Sequence, residues 1–319
     1  MAEKKIRIGT RGSALALAQT ELVIDKLRER YPEYEYEKVI LSTKGDRILN
    51  VPLVDFGGKG AFVEEFEDRL KNGEIDLAVH SAKDMPVELK EGLVIAGTLK
   101  REDVRDVLVC RRDDVNKTVK IGTGSLRRQL QLKKILPNSK CVSIRGNVPT
   151  RLKKLDDGEF DGIVLAAAGL KRLGLFDYDR YDYRFFETEE ILPAGGQGII
   201  AIEGRKNDEI SAMVGQVSDK DTFAELACER TVLNVLQAGC HEAVGIYACV
   251  ENSNDELIAT ENSDEKSVRH ELPGDSYIRL KVMKESGGRL YYEQGAAEFQ
   301  EGKELAEKVA AKLLKKING

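Results

Sequence analysis

The sequence predicts an α/β protein: two related α/β domains around a shared cleft, then a third, α+β domain with a three-stranded antiparallel sheet. Three observations predict it. Short apolar runs of strand length end in polar or Gly-rich turns and lead into helix-patterned segments. Two such signatures recur in the same order along the chain. From about residue 218 the texture changes to one helix, three alternating strands and a closing amphipathic helix. The 319 residues suffice for two or three cores, and 41% apolar with 33% charged residues describes a soluble globular chain.

A formal net charge of -5 argues against general nucleic-acid binding, and no apolar run reaches membrane-spanning length. The N-terminus lacks the apolar core of a signal peptide. Cysteines 110, 141, 228, 240 and 249 form no C-x-x-C pair, so free thiols in a reducing cytoplasm are expected. His80, His241 and His270 form no ligand pattern, and no metal site is expected.

Ile6 to Ile8 reads as a strand and Gly9 to Ser13 as its turn. Ala14 to Arg30 reads as a helix with Leu15, Ala18, Leu22 and Leu27 on its apolar face and Ser13 as N-cap. Ser13, the free N–H groups behind it and Arg11 make a potential anion site. Thr43 to Phe62 is a long polar stretch with glycines near its end, either a mobile lid carrying Lys59 and Phe62 or a merely flexible loop. Glu64 to Lys71 reads as a helix.

Asp76-Leu77-Ala78-Val79-His80-Ser81-Ala82-Lys83-Asp84-Met85-Pro86 begins as a buried strand and turns polar at its end. Pro86 keeps Met85 out of helix, which puts Ser81, Lys83 and Asp84 beyond a carboxyl strand end, where α/β proteins carry their chemistry. A solvated Lys-Asp pair is the bland alternative.

Lys120 to Gln129 repeats the opening pattern: Ile-Gly-Thr, then Gly-Ser, then a helix. Gly158-Glu159-Phe160-Asp161 repeats Gly73-Glu74-Ile75-Asp76. The halves run over about 1–98 and 103–192, and 199–216 is expected to return to the first. Arg101 to Asp106 reads as a charged crossover and Ile191 to Gly198 as a second. P-loop and dinucleotide motifs are absent. The second half is arginine-rich. Arg127 and Arg128 sit in a first helical turn, where cations oppose the helix dipole, which suggests a bound anion nearby. Arg145 and Gly146 end a strand at 141–144, and Arg151 and Arg172 follow.

Residues 220–319 form the third domain. Thr222-x-x-Glu225 reads as a capping box, and its helix runs to about Gln237. Strands are expected at 245–250, 277–282 and 289–292, and a helix at 304–316. Cys240 follows Gly239 with His241 adjacent, a placement for a reactive or modified thiol, although a lone Cys is usually core filler.

On these residues the chain resembles the porphobilinogen deaminases, also called hydroxymethylbilane synthases. The matching motifs are Arg11-Gly-Ser13, Gly57-Gly-Lys-Gly-Ala-Phe62, Ala78 to Pro86, Gly122 to Gln129, Ser143 to Asn147, Thr150-Arg151-Leu152, Ala168 to Gly174, Leu192 to Gly198 and Ala238-Gly-Cys240. They span nearly the whole chain in order. The resemblance implies two periplasmic-binding-protein-like domains plus a third. It implies head-to-tail condensation of four porphobilinogen units with loss of ammonia, on a dipyrromethane primer joined by a thioether to Cys240. It further implies that Asp84 is the catalytic carboxylate. Cofactor and substrate would be lined by Arg11, Ser13, Ser81, Lys83, Thr123, Ser125, Arg127, Arg128, Arg145, Gly146, Arg151 and Arg172. A cytoplasmic monomer in porphyrin and heme biosynthesis is expected. Ala243-Val244-Gly245 stands where family members often carry Pro-Ile-Gly, and Gly12 where many carry Gln. The rival readings are a non-catalytic two-lobed anion-binding module, which leaves Asp84 and Cys240 unused, and a cysteine hydrolase on Cys240 and His241, which leaves the arginines unused.

Overall fold

The computed structural model describes residues 4–41, 63–112, 119–238, 242–252 and 276–319. Lys59, Phe62, Cys240 and His241, and with them the lid expectation, lie outside the described residues.

The first sheet is built from β1 (Lys4–Arg11), β2 (Tyr34–Leu41), β3 (Leu77–Ser81), β4 (Leu93–Thr98) and a late strand, Ile200–Arg205, in the order β2-β1-β3-late-β4. The second uses β5 (Asp106–Arg111), β6 (Lys120–Gly122), β7 (Lys140–Val142), β8 (Gly162–Ala166) and β9 (Tyr181–Phe186), in the order β7-β6-β8-β5-β9. The late strand is β10. The plans coincide. β1 and β6 run parallel to both neighbours, whereas β10 and β5 are antiparallel to theirs. Each sheet's antiparallel strand arrives through one of two crossovers, residues 99–105 and 187–199, giving the periplasmic-binding-protein arrangement.

The repeated motifs have repeated jobs. The Asp76 carboxylate accepts the Arg7 N–H at 2.8 Å, and the Asp76 N–H donates to the Arg7 carbonyl at 2.8 Å. Asp161 treats Lys120 the same way, at 2.7 and 2.9 Å. Each aspartate fixes the register of the central strand pair, where the parallel ladder leaves a backbone N–H to satisfy. An arginine closes each motif: Arg205 donates to the Leu70 and Ile75 carbonyls, and Arg111 to those of Leu155 and Phe160. The Ile-Gly-Thr glycines also correspond. A Cβ on Gly9 would stand 2.6 Å from Ile75, and one on Gly122 3.0 Å from both Ile163 and Phe160.

Helices flank these sheets: α1 (Ala14–Arg30) and α2 (Glu64–Lys71) on the first, α3 (Leu126–Ile135), α4 (Val148–Asp156) and α5 (Ala167–Arg172) on the second, and α6 (Glu209–Val217) on the first again. α1 buries Gln19, Thr20, Val23, Ile24 and Leu27, and Leu22 is 45% exposed. The expected apolar face is therefore wrong at Leu22, because Val23 and Ile24 hold the sheet side and the hydroxyl of Thr20 is buried against Thr10 at 2.7 Å.

The third unit pairs α7 (Lys220–Val235) and α8 (Gly302–Asn318) against an antiparallel meander of β11 (Val244–Asn252), β12 (Ser276–Ser286) and β13 (Arg289–Glu298). The expected capping box does not form. Asp219 caps α7 by accepting the Thr222 N–H, which leaves the Thr222 hydroxyl to accept the Arg101 N–H and Glu225 to accept the Val250 N–H.

Candidate active site

β3 ends at Ser81, and Ala82–Asp84 form one 3-10 turn whose Ala82 N–H donates to the Ile199 carbonyl at 3.0 Å. The second crossover presses on this turn. Gly196 has φ +76°, and a Cβ there would stand 2.8 Å from the Lys83 nitrogen and 2.9 Å from the Ala82 carbonyl carbon. Only glycine combines that φ with that approach. The Asp84 side chain is exposed, and among the described residues it makes no hydrogen bond or ion pair. Lys83 is partly exposed yet sits deep in protein. Burial pushes its ammonium below the usual lysine range; Arg128 and Arg127 push the same way, and Asp84 and Asp106 oppose them.

Across the cleft stands a residue the sequence hides. Asp106, fully buried at the head of β5, accepts from Arg128 Nε at 3.0 Å and Nη2 at 2.7 Å, pairs with Arg127 Nη2 at 2.8 Å, and accepts from Gln197 Nε2 at 2.9 Å. Burial alone would raise its pKa; the charges of Arg127 and Arg128, with the Arg128 and Gln197 hydrogen bonds, outweigh that and hold the carboxyl well below the carboxylate range. Arg127 also donates to the Leu192 carbonyl and Arg128 to that of Val164. The anion that answers two cations in the first turn of α3 is thus the protein's own Asp106. Asp106 reads as one more charge in a charged crossover; the available signal is an acid directly preceding the apolar run Val107-Leu108-Val109.

The remaining arginines are less well matched. Arg145 is exposed and makes no hydrogen bond or ion pair among the described residues. Arg151 Nε donates to the Gly146 carbonyl at 2.7 Å, and Arg172 Nη2 to that of Gly198 at 2.6 Å. Burial, then the charges of Arg128 and Arg145, bring Arg151 down to about 10 against the pull of Asp84; burial brings Arg172 to about 10 against Glu102. Lys83, Asp84, Arg127, Arg128, Arg145 and Arg151 therefore act on one another across the cleft, with cations in excess of carboxylates.

Ser13 and Ser125 cap α1 and α3, accepting from the Ala16 and Arg128 N–H groups at 3.3 and 3.4 Å. Arg11 is half-buried at the end of β1, and Thr123 is fully buried just beyond β6. Ser81 accepts from Gln19 Nε2 at 2.9 Å, and Gln19, buried on α1, is a second neighbour that helical periodicity disguised as surface.

Residues 6–212 match the family model described as "Porphobilinogen deaminase, dipyromethane cofactor binding domain". Curated relatives named porphobilinogen deaminase include one from Streptococcus sanguinis, 45% identical over 77% of this chain and 82% of the relative. Another, from Ruminiclostridium josui, is 46% identical over 78% and 84%. A third, from Alkaliphilus metalliredigens, is 40% identical over 93% and 95%. A strand-end carboxylate facing an excess of cations agrees with that match, and the chain belongs to the porphobilinogen deaminase family.

Proposed function

We propose that this chain is a hydroxymethylbilane synthase: it joins four porphobilinogen molecules head to tail, releases ammonia at each joining, and does so on a dipyrromethane primer held by a thioether to Cys240. The observation that carries the reading is an exposed Asp84 carboxylate, without a hydrogen bond or ion pair among the described residues, beside the cations of Lys83, Arg128 and Arg151.

The residues fit the primer and substrate. Porphobilinogen bears an acetate and a propionate, so each added unit brings two negative charges. Arg145, which has no hydrogen bond or ion pair among the described residues, and the desolvated Arg151 and Arg172 suit carboxylates, which a guanidinium meets with paired N–H donors. Unit charges about 4 Å apart attract by about 4 kcal/mol at an effective dielectric near 20. Arg11, Ser13, Ser81, Lys83, Thr123, Ser125 and Gly146 complete the lining in this reading. Arg127 and Arg128 serve it through donors that Asp106, Leu192 and Val164 leave free. When bound, the dipyrromethane supplies the electron-rich pyrrole position at which the chain grows.

Asp84 has the catalytic part. Loss of the amine leaves positive charge spread onto the substrate's pyrrole nitrogen, and a carboxylate beside that N–H stabilises the charge as it develops. The same carboxylate can move the protons, since the amine must be protonated to leave as ammonia and the attacked ring loses its α-hydrogen. Asp84 makes no competing hydrogen bond among the described residues, so it is free for both tasks. No helix among them is long and apolar enough to cross a membrane; we read the protein as a cytoplasmic monomer acting on free substrate.

The test is turnover of porphobilinogen by the purified holoprotein. One ammonia released per porphobilinogen consumed, with a linear tetrapyrrole as product, supports the reading. Binding of porphobilinogen without ammonia release favours the anion-binding module instead.

A further inference from the structure

The limb that returns from the Lys83-Asp84 turn is held by packing and by two hydrogen bonds from neighbouring helices. Met85 is buried against Ala82, Ile199, Ala201 and Leu226. Beyond Pro86, Leu89 packs against the clusters around Phe66 and Leu226 and lines a cavity of about 320 Å³ together with Ile95, Phe223, Leu226 and Arg230. Two polar contacts bracket Leu89. Arg230, on α7, donates from Nη2 to the Val87 carbonyl. Glu67, on α2 and 4% exposed, accepts the Lys90 N–H at 3.0 Å.

Beneath both contacts lies a buried polar pair with no part in the chemistry proposed above. Glu203 of β10 is fully buried, with Oε2 2.9 Å from His80 Nε2, and its Oε1 has no hydrogen-bond partner among the described residues. His80 lies on β3, four residues before Asp84 of the following turn, and packs edge-on against Phe66 of α2. The Glu203 charge reaches both clamps. It attracts Arg230, offsetting part of the burial that lowers that guanidinium's pKa, and after burial it helps to push Glu67 up. Two acids and two bases thus stand under the return limb, and the outer member on each side grips its backbone.

We propose that Arg230 and Glu67 are positioning residues for the reaction: they pin Val87 and Lys90 and so set where the Asp84 carboxylate stands in the cleft. The proposal rests on Asp84 being the working carboxylate. It gives α7, which ends five residues before Cys240 in sequence, a hold on the limb that follows the turn bearing Asp84.

The experiment compares Arg230→Ala, Arg230→Lys, Glu67→Ala and Glu67→Gln with Phe223→Ala, which enlarges the same cavity without touching either hydrogen bond. Holoenzymes are assayed for kcat and KM with porphobilinogen, for pyrrole load by denatured mass, and for amide exchange over residues 85–92. A misplacement of about 1 Å can cost on the order of a hundredfold in rate. Arg230→Ala and Glu67→Ala should therefore lose about tenfold or more in kcat, keep KM within about twofold because Arg145, Arg151 and Arg172 are untouched, and exchange faster over 85–92 with normal load. Glu67→Gln keeps an acceptor and should retain most of kcat; Arg230→Lys keeps a single donor and should recover part of it. Phe223→Ala should lose stability with kcat intact. Wild-type kcat in both alanine variants, or an equal loss in Phe223→Ala, overturns the proposal. A wild-type holoenzyme with no turnover overturns the proposed function instead, and unchanged exchange in Arg230→Ala and Glu67→Ala then overturns the pinning on its own terms.

Discussion

Replacing Asp84 with Asn removes one charge and keeps the outline of the cleft. If Asp84 stabilises the developing pyrrole cation, kcat should fall by about a hundredfold or more while KM for porphobilinogen changes little; steady-state kinetics that leave kcat near wild type would remove Asp84 from the mechanism. Asp106 calls for a different measurement. Asp106→Asn leaves two buried guanidiniums without their counter-charge, and breaking such a cluster costs about 3–5 kcal/mol, readable as a lower urea midpoint. Its folded-state pKa is depressed, and so is that of Asp76, where burial is outweighed by the Arg7 hydrogen bonds and charge. Groups of this kind stabilise the fold fully above their unfolded pKa near 3.9, and the benefit is lost as pH falls through the folded value. The urea midpoint of the unmodified chain should therefore drop as pH is taken below about 4, and less so in Asp106→Asn. The arginines were legible because strand ends and turn residues surround them in sequence. Their partner was not, because a contact between positions 106 and 128 is set by sheet order and leaves no local pattern.

The strand, Gly-Ser turn and helix that open each half were legible for a physical reason. Both copies need a small residue where the next strand enters, at Gly9 and Gly122, and an aspartate that satisfies the strand's N–H, at Asp76 and Asp161. What failed were inferences from single residues. Leu22 faces out because two better-placed apolar residues follow it, and Thr222 serves the first crossover and Glu225 β11 rather than a capping box. Gly196 can be tested as an element's hinge point. Gly196→Ala meets both an unfavourable φ and the Ala82–Lys83 peptide, so it should cost about 1–3 kcal/mol and shift the turn bearing Asp84. Urea unfolding and kcat should both fall; unaltered values would mean that the crossover does not set the turn.

The three units meet at α7. Glu229, fully buried there, accepts from Arg101 of the first crossover at 2.8 Å, from the Gly196 N–H of the second at 2.5 Å, and from the Ala248 N–H of β11 at 2.9 Å. Arg101 also donates to the Gln197 and Ala248 carbonyls and lies over the Tyr247 ring. α7 is therefore anchored where both connections between the sheets pass. The proposed growth on a fixed thioether calls for both an excess of guanidiniums and a carboxylate; a binding module would need the cations alone. The intact mass of the purified protein under denaturing conditions decides between these. A mass above that of the 319-residue chain by two linked pyrrole units, absent in Cys240→Ser and rising by whole pyrrole units when porphobilinogen is added, is the expected result. A wild-type mass equal to the bare chain and unmoved by porphobilinogen would contradict the covalent primer and the polymerising function with it.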